Sequence, residues 1–243
     1  MSNTLLKAEQ ACDAVSQPCG AVELILTPHD KDLGGFSVRR LLPTARRRMV
    51  GPWIFFDHMG PAHFPAGRGI NVRPHPHIGI ATVTYLFEGE ILHRDSLGSL
   101  QAIRPGDINL MVCGRGIVHS ERERLEVTAV EHALNGLQLW LALPDAHEET
   151  EPSFHHYPRD VDGVPARVLL GSAWGVTSPV RQFSETLYVE ARLQPGQTLQ
   201  LPPAPERALY VVSGALSAQN TALPEHSMTV FAKQPGIAVR ATQ

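Results

Sequence analysis

The chain has 243 residues, with 21 basic and 24 acidic side chains and a formal net charge of −3, a balance without global attraction to nucleic acid or anionic lipid. Its 43% hydrophobic and 19% charged residues are those of a soluble globular protein, able to bury a core as one large domain or two small ones. No run of about 18 apolar residues occurs, which argues against an ordinary membrane-spanning helix, and 20 Gly with 20 Pro suit an all-β chain with frequent turns.

Residues Met1 to Gly20 contain Lys7, Glu9 and Asp13 and lack an uninterrupted apolar core, so they do not read as a secretory leader. Cys12, Cys19 and Cys113 are scattered and have no metal-finger spacing, as expected in a reducing compartment, and a cytoplasmic location is predicted. Arg46-Arg47-Arg48 is a short basic run that reads as a solvated loop. Further on, His75-Pro76-His77 leads into Ile78 to Phe87, rich in β-branched and aromatic residues, and Glu88-Gly89-Glu90 is a turn. A strand is predicted over Ile91 to Asp95, closed by Ser96 to Ser99. Arg104-Pro105-Gly106-Asp107 is a tight turn, and Ile108 to Val112 is extended again. Gly114-Arg115-Gly116 turns the chain into Ile117-Val118-His119-Ser120-Glu121.

Side chains at i and i+2 of a strand share a face. If both tripeptides are strands, Pro76 and Ser120 face away, while His75, His77, His119 and Glu121 face a common interior as a mononuclear metal site. Imidazole with carboxylate suits iron, manganese, nickel, copper or zinc. Four protein ligands on a metal that prefers six leave two positions for water, a substrate oxygen or dioxygen.

Pro144 to Pro152 is acidic and Pro-bounded, and the domain boundary is drawn there, giving residues 1–145 and 146–243. Within the second part, Arg167 to Gly171 and Leu187 to Leu193 read as strands, and Gln194-Pro195-Gly196-Gln197 as a turn. Ala208 to Leu216 parallels Val83 to Ile91, which points to an internal duplication. The second copy has Glu206-Arg207-Ala208 in place of His-Pro-His and a single His226, so it is expected to hold no metal.

His-Pro-His-x-Gly, Pro-Gly-Asp and Gly-Arg-Gly-Ile-Val-His-Ser-Glu, together with Gly51-Pro52-Trp53, Phe56 to Pro61 and Asn135 to Leu141, resemble the signature of the pirins, of the cupin superfamily. The resemblance covers roughly residues 33 to 145. It implies a bicupin of two jelly-roll-like β-barrels with one metal, usually iron, in the first, held by His75, His77, His119 and Glu121. Where the wider cupin pattern places a Glu after the second His, this chain has Ala81-Thr82. The resemblance further implies quercetinase chemistry on a small-molecule substrate with dioxygen, and for that chemistry Glu121 is expected to act as catalytic base as well as ligand. Other pirins are described as non-catalytic, redox-responsive regulators that bind a protein partner, and the Arg46 to Arg48 run is the candidate surface for that role. The family is commonly monomeric.

Among lesser candidates, His93 reads as an outer donor to the ligands or a strand-edge histidine, and His58 as a wall of the substrate cavity or a turn residue. Cys113 reads as a buried inert thiol or an oxidation sensor, and adjacent His155 and His156 are expected on opposite faces. Phe55, Phe56, Met59, Ile78 and Met111 are candidate walls of an apolar cavity, or core.

Overall fold

The structure, a computed structural model, describes residues 14–15, 20–33, 36–159 and 165–242. The chain enters through β1 (Ala14–Val15), β2 (Val22–Leu26), β3 (His29–Asp32), β4 (Ser37–Leu42) and β5 (Trp53–Phe64). The motif-bearing stretch forms β6 (Asn71–His77), β7 (Ile80–Glu88), β8 (Ile91–Asp95), β9 (Leu100–Ile103), β10 (Ile108–Val112) and β11 (Ile117–Arg122). A single helical turn, α1 (Leu125–Thr128), precedes β12 (His132–Ala142) and β13 (Ser153–Tyr157). The remainder is β14 (Ala166–Leu170), β15 (Ser172–Ala173), β16 (Val176–Thr177), β17 (Tyr188–Ala191), β18 (Thr198–Gln200), β19 (Arg207–Tyr210), β20 (Leu216–Ala218), β21 (Thr221–Leu223), β22 (Met228–Phe231) and β23 (Ala238–Ala241). Cys12 and Cys19 lie outside the described residues.

The largest sheet has the order β13-β10-β7-β12-β5-β4-β3, and a four-stranded sheet, β6-β11-β8-β9, lies against it. Alternation in β7, β10 and β12 gives the large sheet two different faces. Val83 and Tyr85, Ile108 and Leu110, and Leu137 and Leu139 pack with Leu26, Leu169, Met228 and Val230 into the main core. Each such fully buried aliphatic or aromatic side chain contributes about 1.5–3 kcal/mol relative to exposure. The alternate residues, Thr82 and Thr84, Asn109 and Met111, and Gln138 and Trp140, point the other way, toward the four-stranded sheet.

The second half repeats this arrangement. Its four-stranded sheet, β18-β23-β20-β21, has the order of β6-β11-β8-β9, and β19 pairs with β22 as β7 pairs with β10. The duplicated turns match in conformation, with φ of 87° at Gly89 and 83° at Gly214. A Cβ on Gly89 would stand 2.5 Å from the Ala133 carbonyl oxygen, so this left-handed turn has room for glycine alone. Two strands cross the sequence division at 145/146: β2 pairs with β22 of the second half, and β13 pairs with β10 of the first.

Candidate metal centre

β6 and β11 are antiparallel neighbours in which His119 stands opposite His75 and Ile117 opposite His77. With two residues per repeat, His75 and His77 share a face, and one nitrogen from each of His75, His77 and His119 falls in a group whose atoms all lie within 4.8 Å of one another. The ring centroids are 4.4 Å apart for His75 and His119, 4.9 Å for His75 and His77, and 5.2 Å for His77 and His119. His75 Nδ1–H donates to the Arg73 carbonyl at 2.8 Å, which leaves its Nε2 as a lone-pair donor. Burial, with the neighbouring imidazoles adding to it, pushes His119 down to about 3 and His77 down to about 4, so both are neutral, as ligands must be. Among the described residues, neither ring nitrogen of buried His119 has a hydrogen-bond partner. An orphaned buried imidazole costs free energy that a metal ion at this position would recover, so the residues fit a metal.

Glu121 stands apart from this trio. The β6–β11 register shifts between His119 and Glu121, so the carboxylate is not among the atoms within 4.8 Å. It faces the same interior, where Thr84 Oγ1 lies 3.4 Å from Oε1. Burial raises its pKa, while the neighbouring His75 and the Thr84 contact oppose the rise.

Trp140 forms the wall beside the histidines, edge-on to His77 at 5.0 Å and stacked on Phe55 at 4.0 Å. Arg40 lies over the other side of Phe55 at 4.5 Å and is fixed by two 2.8 Å bonds to Asp57. Beyond His119, His93 donates Nε2–H to Asp95 at 2.9 Å and stacks on Phe154 at 4.1 Å. Ile78 is 70% exposed beside the site, whereas Phe56 and Met59 belong to core clusters and Met111 packs with Cys113 and Ile117. A cavity of about 900 Å³ lined by Phe36, Arg39, His63 and Arg68 includes none of the three imidazoles, so it lies apart from this site.

The sequence profile of the Pirin family matches residues 35–141. A pirin-like protein from Caulobacter vibrioides is 45% identical over 235 residues, covering 91% of this chain and 80% of its own length. The chain belongs to the pirin family. Among solved structures, a quercetin 2,3-dioxygenase from Acinetobacter baumannii is 34% identical, with a TM-score of 0.82 over 90% of this chain and 75% of its own. A bacterial pirin from Escherichia coli, solved with nickel(II), shares the fold at 17% identity, with a TM-score of 0.64 over 89% of this chain and 96% of its own. The pirin fold is thus the all-β cupin type that the motifs implied.

In this pirin the lesser candidates take definite places. His58 is in β5, neither in a turn nor at the imidazole cluster. It accepts from the Tyr210 hydroxyl at 2.7 Å and donates to Asn135 Oδ1 at 2.8 Å, joining the two halves. Cys113 is fully buried, and burial pushes its thiol up to about 12, the state of an inert side chain. His155 bonds Ser153, while His156 Nδ1–H donates to Asn109 Oδ1 at 2.7 Å. Arg47 is engaged by Glu206 at 2.9 Å. Among the described residues, no helix is long and apolar enough to cross a membrane. Gln138 and Trp140 lie in the Asn135 to Leu141 motif, but the motifs assign no site role to them or to Thr84. The alternation of β7 and β12 around Thr84 and Trp140 is the signal that places them on the inner face.

Proposed function

We propose that this pirin holds one divalent transition metal, iron before copper, nickel, manganese or zinc, on His75, His77, His119 and Glu121. On this reading it opens the heterocycle of flavonols, or of related enol and phenol substrates, with dioxygen. The observation that carries the proposal is the trio of imidazoles within 4.8 Å, one of them with both nitrogens buried and unpartnered. The 34% identity to a protein described as quercetin 2,3-dioxygenase supports the substrate class. When bound, the metal supplies Lewis acidity that makes a flavonol hydroxyl more acidic, and a route for electrons to dioxygen. Glu121 accepts that hydroxyl proton at a carboxylate oxygen, and its burial makes it the more willing acceptor. Trp140, stiffened by Phe55 and Arg40, offers a flat face to an aromatic substrate and keeps water from one side of His77.

We propose further that the chain is a cytoplasmic monomer of two cupin units, divided in sequence at 145/146, and that the second unit takes no metal. The rival reading, a redox-responsive binding protein without turnover, rests on a free Arg46 to Arg48 surface, and Arg47 is already engaged by Glu206. The test is aerobic loss of quercetin absorbance by protein reconstituted with iron or copper, beside a His75→Ala control. Metal-dependent turnover that vanishes in the control is expected. A full complement of metal with no turnover would overturn the dioxygenase reading and leave the metal site standing.

A further inference from the structure

A row of polar side chains crosses the large sheet on the face toward the imidazoles, one per strand and in register. His156 stands opposite Asn109, Asn109 opposite Thr84, Thr84 opposite Gln138, Gln138 opposite Asp57, and Asp57 opposite Arg40. Asn109, Asp57 and Thr84 are 2%, 3% and 4% exposed. The corresponding row across β2, β22 and β19, Ile25, Thr229 and Leu209, has a single hydroxyl between two apolar side chains. Burying amides, a hydroxyl and an ion pair costs free energy unless they bond one another, and here His156 bonds Asn109, Thr84 bonds Gln138 and Arg40 bonds Asp57.

Among the described residues, the bond from this row to the facing sheet runs from Thr84 to Glu121. Thr84 has one hydroxyl proton and two acceptors within reach, Gln138 Oε1 at 2.9 Å and Glu121 Oε1 at 3.4 Å. The shorter contact takes the proton, and Glu121 keeps only a weak one. Half a turn of the Gln138 amide about its terminal torsion presents Nε2–H to Thr84 Oγ1 instead, which frees the Thr84 proton for Glu121.

We propose that Thr84 and Gln138 are positioning residues for Glu121, a two-setting hydrogen-bond relay that either holds the carboxylate in place as a metal ligand or leaves it unheld to receive the substrate proton. The proposal rests on the assignment of Glu121 as ligand and base made above. With the Gln138 oxygen toward Thr84 the carboxylate is unheld, and with the amide nitrogen there it is held.

The relay is tested with Co(II)-loaded protein and three variants, by the visible absorption band, by Co(II) affinity from chelator competition, and by kcat and KM for quercetin. Thr84→Val is expected to bind one Co(II) with an altered band, about 10-fold weaker affinity, and a kcat about 10-fold lower at unchanged KM. Thr84→Ser is expected to restore all of these. Gln138→Met leaves the Thr84 proton no acceptor but Glu121, and is expected to shift Co(II) affinity the opposite way, toward tighter binding, while still lowering kcat. That opposition of sign is what a packing role would not produce, and it carries the test even if the valine variant fails to fold. A Thr84→Val band, affinity and kcat equal to the parent's would overturn the proposal, as would a serine variant behaving like the valine one or a Gln138→Met affinity shifted the same way as Thr84→Val. If the parent binds Co(II) but does not turn over quercetin, the flavonol reading falls while band and affinity still decide the relay. If the parent binds no Co(II), both fall.

Discussion

The sheets β6-β11-β8-β9 and β18-β23-β20-β21 have one strand order and two different interiors. In the second, Ala218, Leu223, Val239 and Ile237 close with Val22, Ile25, Val211 and Phe231 into an apolar cluster, and the strands matching β6 and β11 read Thr-Leu-Gln and Ala-Val-Arg-Ala. In the first, the matching strands carry three imidazoles and a carboxylate, and the opposing face carries Thr84, Gln138 and Trp140. The frame depends on alternation and on turns such as Gly89 and Gly214, which both copies keep. What fills the interior is a separate choice: one copy packs it with apolar side chains, the other lines it with three imidazoles, a carboxylate and polar groups that could hold a metal.

If that division is right, the sharpest break comes from the first interior. His119→Ala removes an imidazole itself, so its cost should exceed the ~10–100-fold attached to outer partners of metal ligands. Metal content after dialysis is expected to fall toward zero, with turnover lost and near-UV circular dichroism retained. The opposite experiment strikes the second interior. Leu223, 2% exposed, replaced by Ala should cost about 2–5 kcal/mol in urea unfolding while metal stoichiometry stays at the parent value. A drop in stoichiometry there would mean that the two interiors are coupled. Stripping the metal with a chelator sits lower on the scale: at a free metal concentration 100 times Kd, binding is worth about 2.7 kcal/mol. That corresponds to a Tm fall of about 5–10 °C for a chain of this length.

The same comparison shows what the sequence made legible. The His-x-His and His-x-Glu spacings, the β-branched run after His77 and the Pro-Gly turns carry the strands, the barrel character and the three imidazoles, because period-two alternation is local. The register shift between His119 and Glu121 was not legible, because it depends on pairing with β6 rather than on composition. Nor was the exchange of β2 and β13 between halves, since a strand's partner lies far along the chain. Phe56 and Met59 look like cavity walls by type, yet the core claims them. Thr84 and Gln138 sit at unremarkable positions and gain meaning only from their contacts with Glu121 and with each other.

The seam between the halves titrates in its own window. Burial pushes His58 down to about 4, below its unfolded value of 6.5. The unfolded chain therefore takes up a proton first as pH falls, and stability drops between about pH 6.5 and 4. His58→Gln, which cannot titrate, should flatten the slope of Tm against pH across that window while lowering Tm at neutral pH through loss of the Tyr210 bond. An unchanged slope would mean that other buried histidines, such as His77 and His119, dominate the acid transition.

The smallest effect is expected at the edge of that seam. Arg47 meets Glu206 at 2.9 Å, and Glu206 also accepts the Gly51 backbone N–H at 2.8 Å, a contact on the surface away from both interiors. With Glu206 45% exposed, salt and water screen the pair, and Arg47→Ala should cost about 0.5 kcal/mol, or about 1–2 °C in Tm. Quercetin turnover and metal content are expected to stay at parent values, because the change touches no residue that faces the imidazoles. A large loss of turnover at intact metal content would mean that the Arg46 to Arg48 surface communicates with the centre, as the regulatory reading requires, and the clean separation of frame from interior would then fail at this edge.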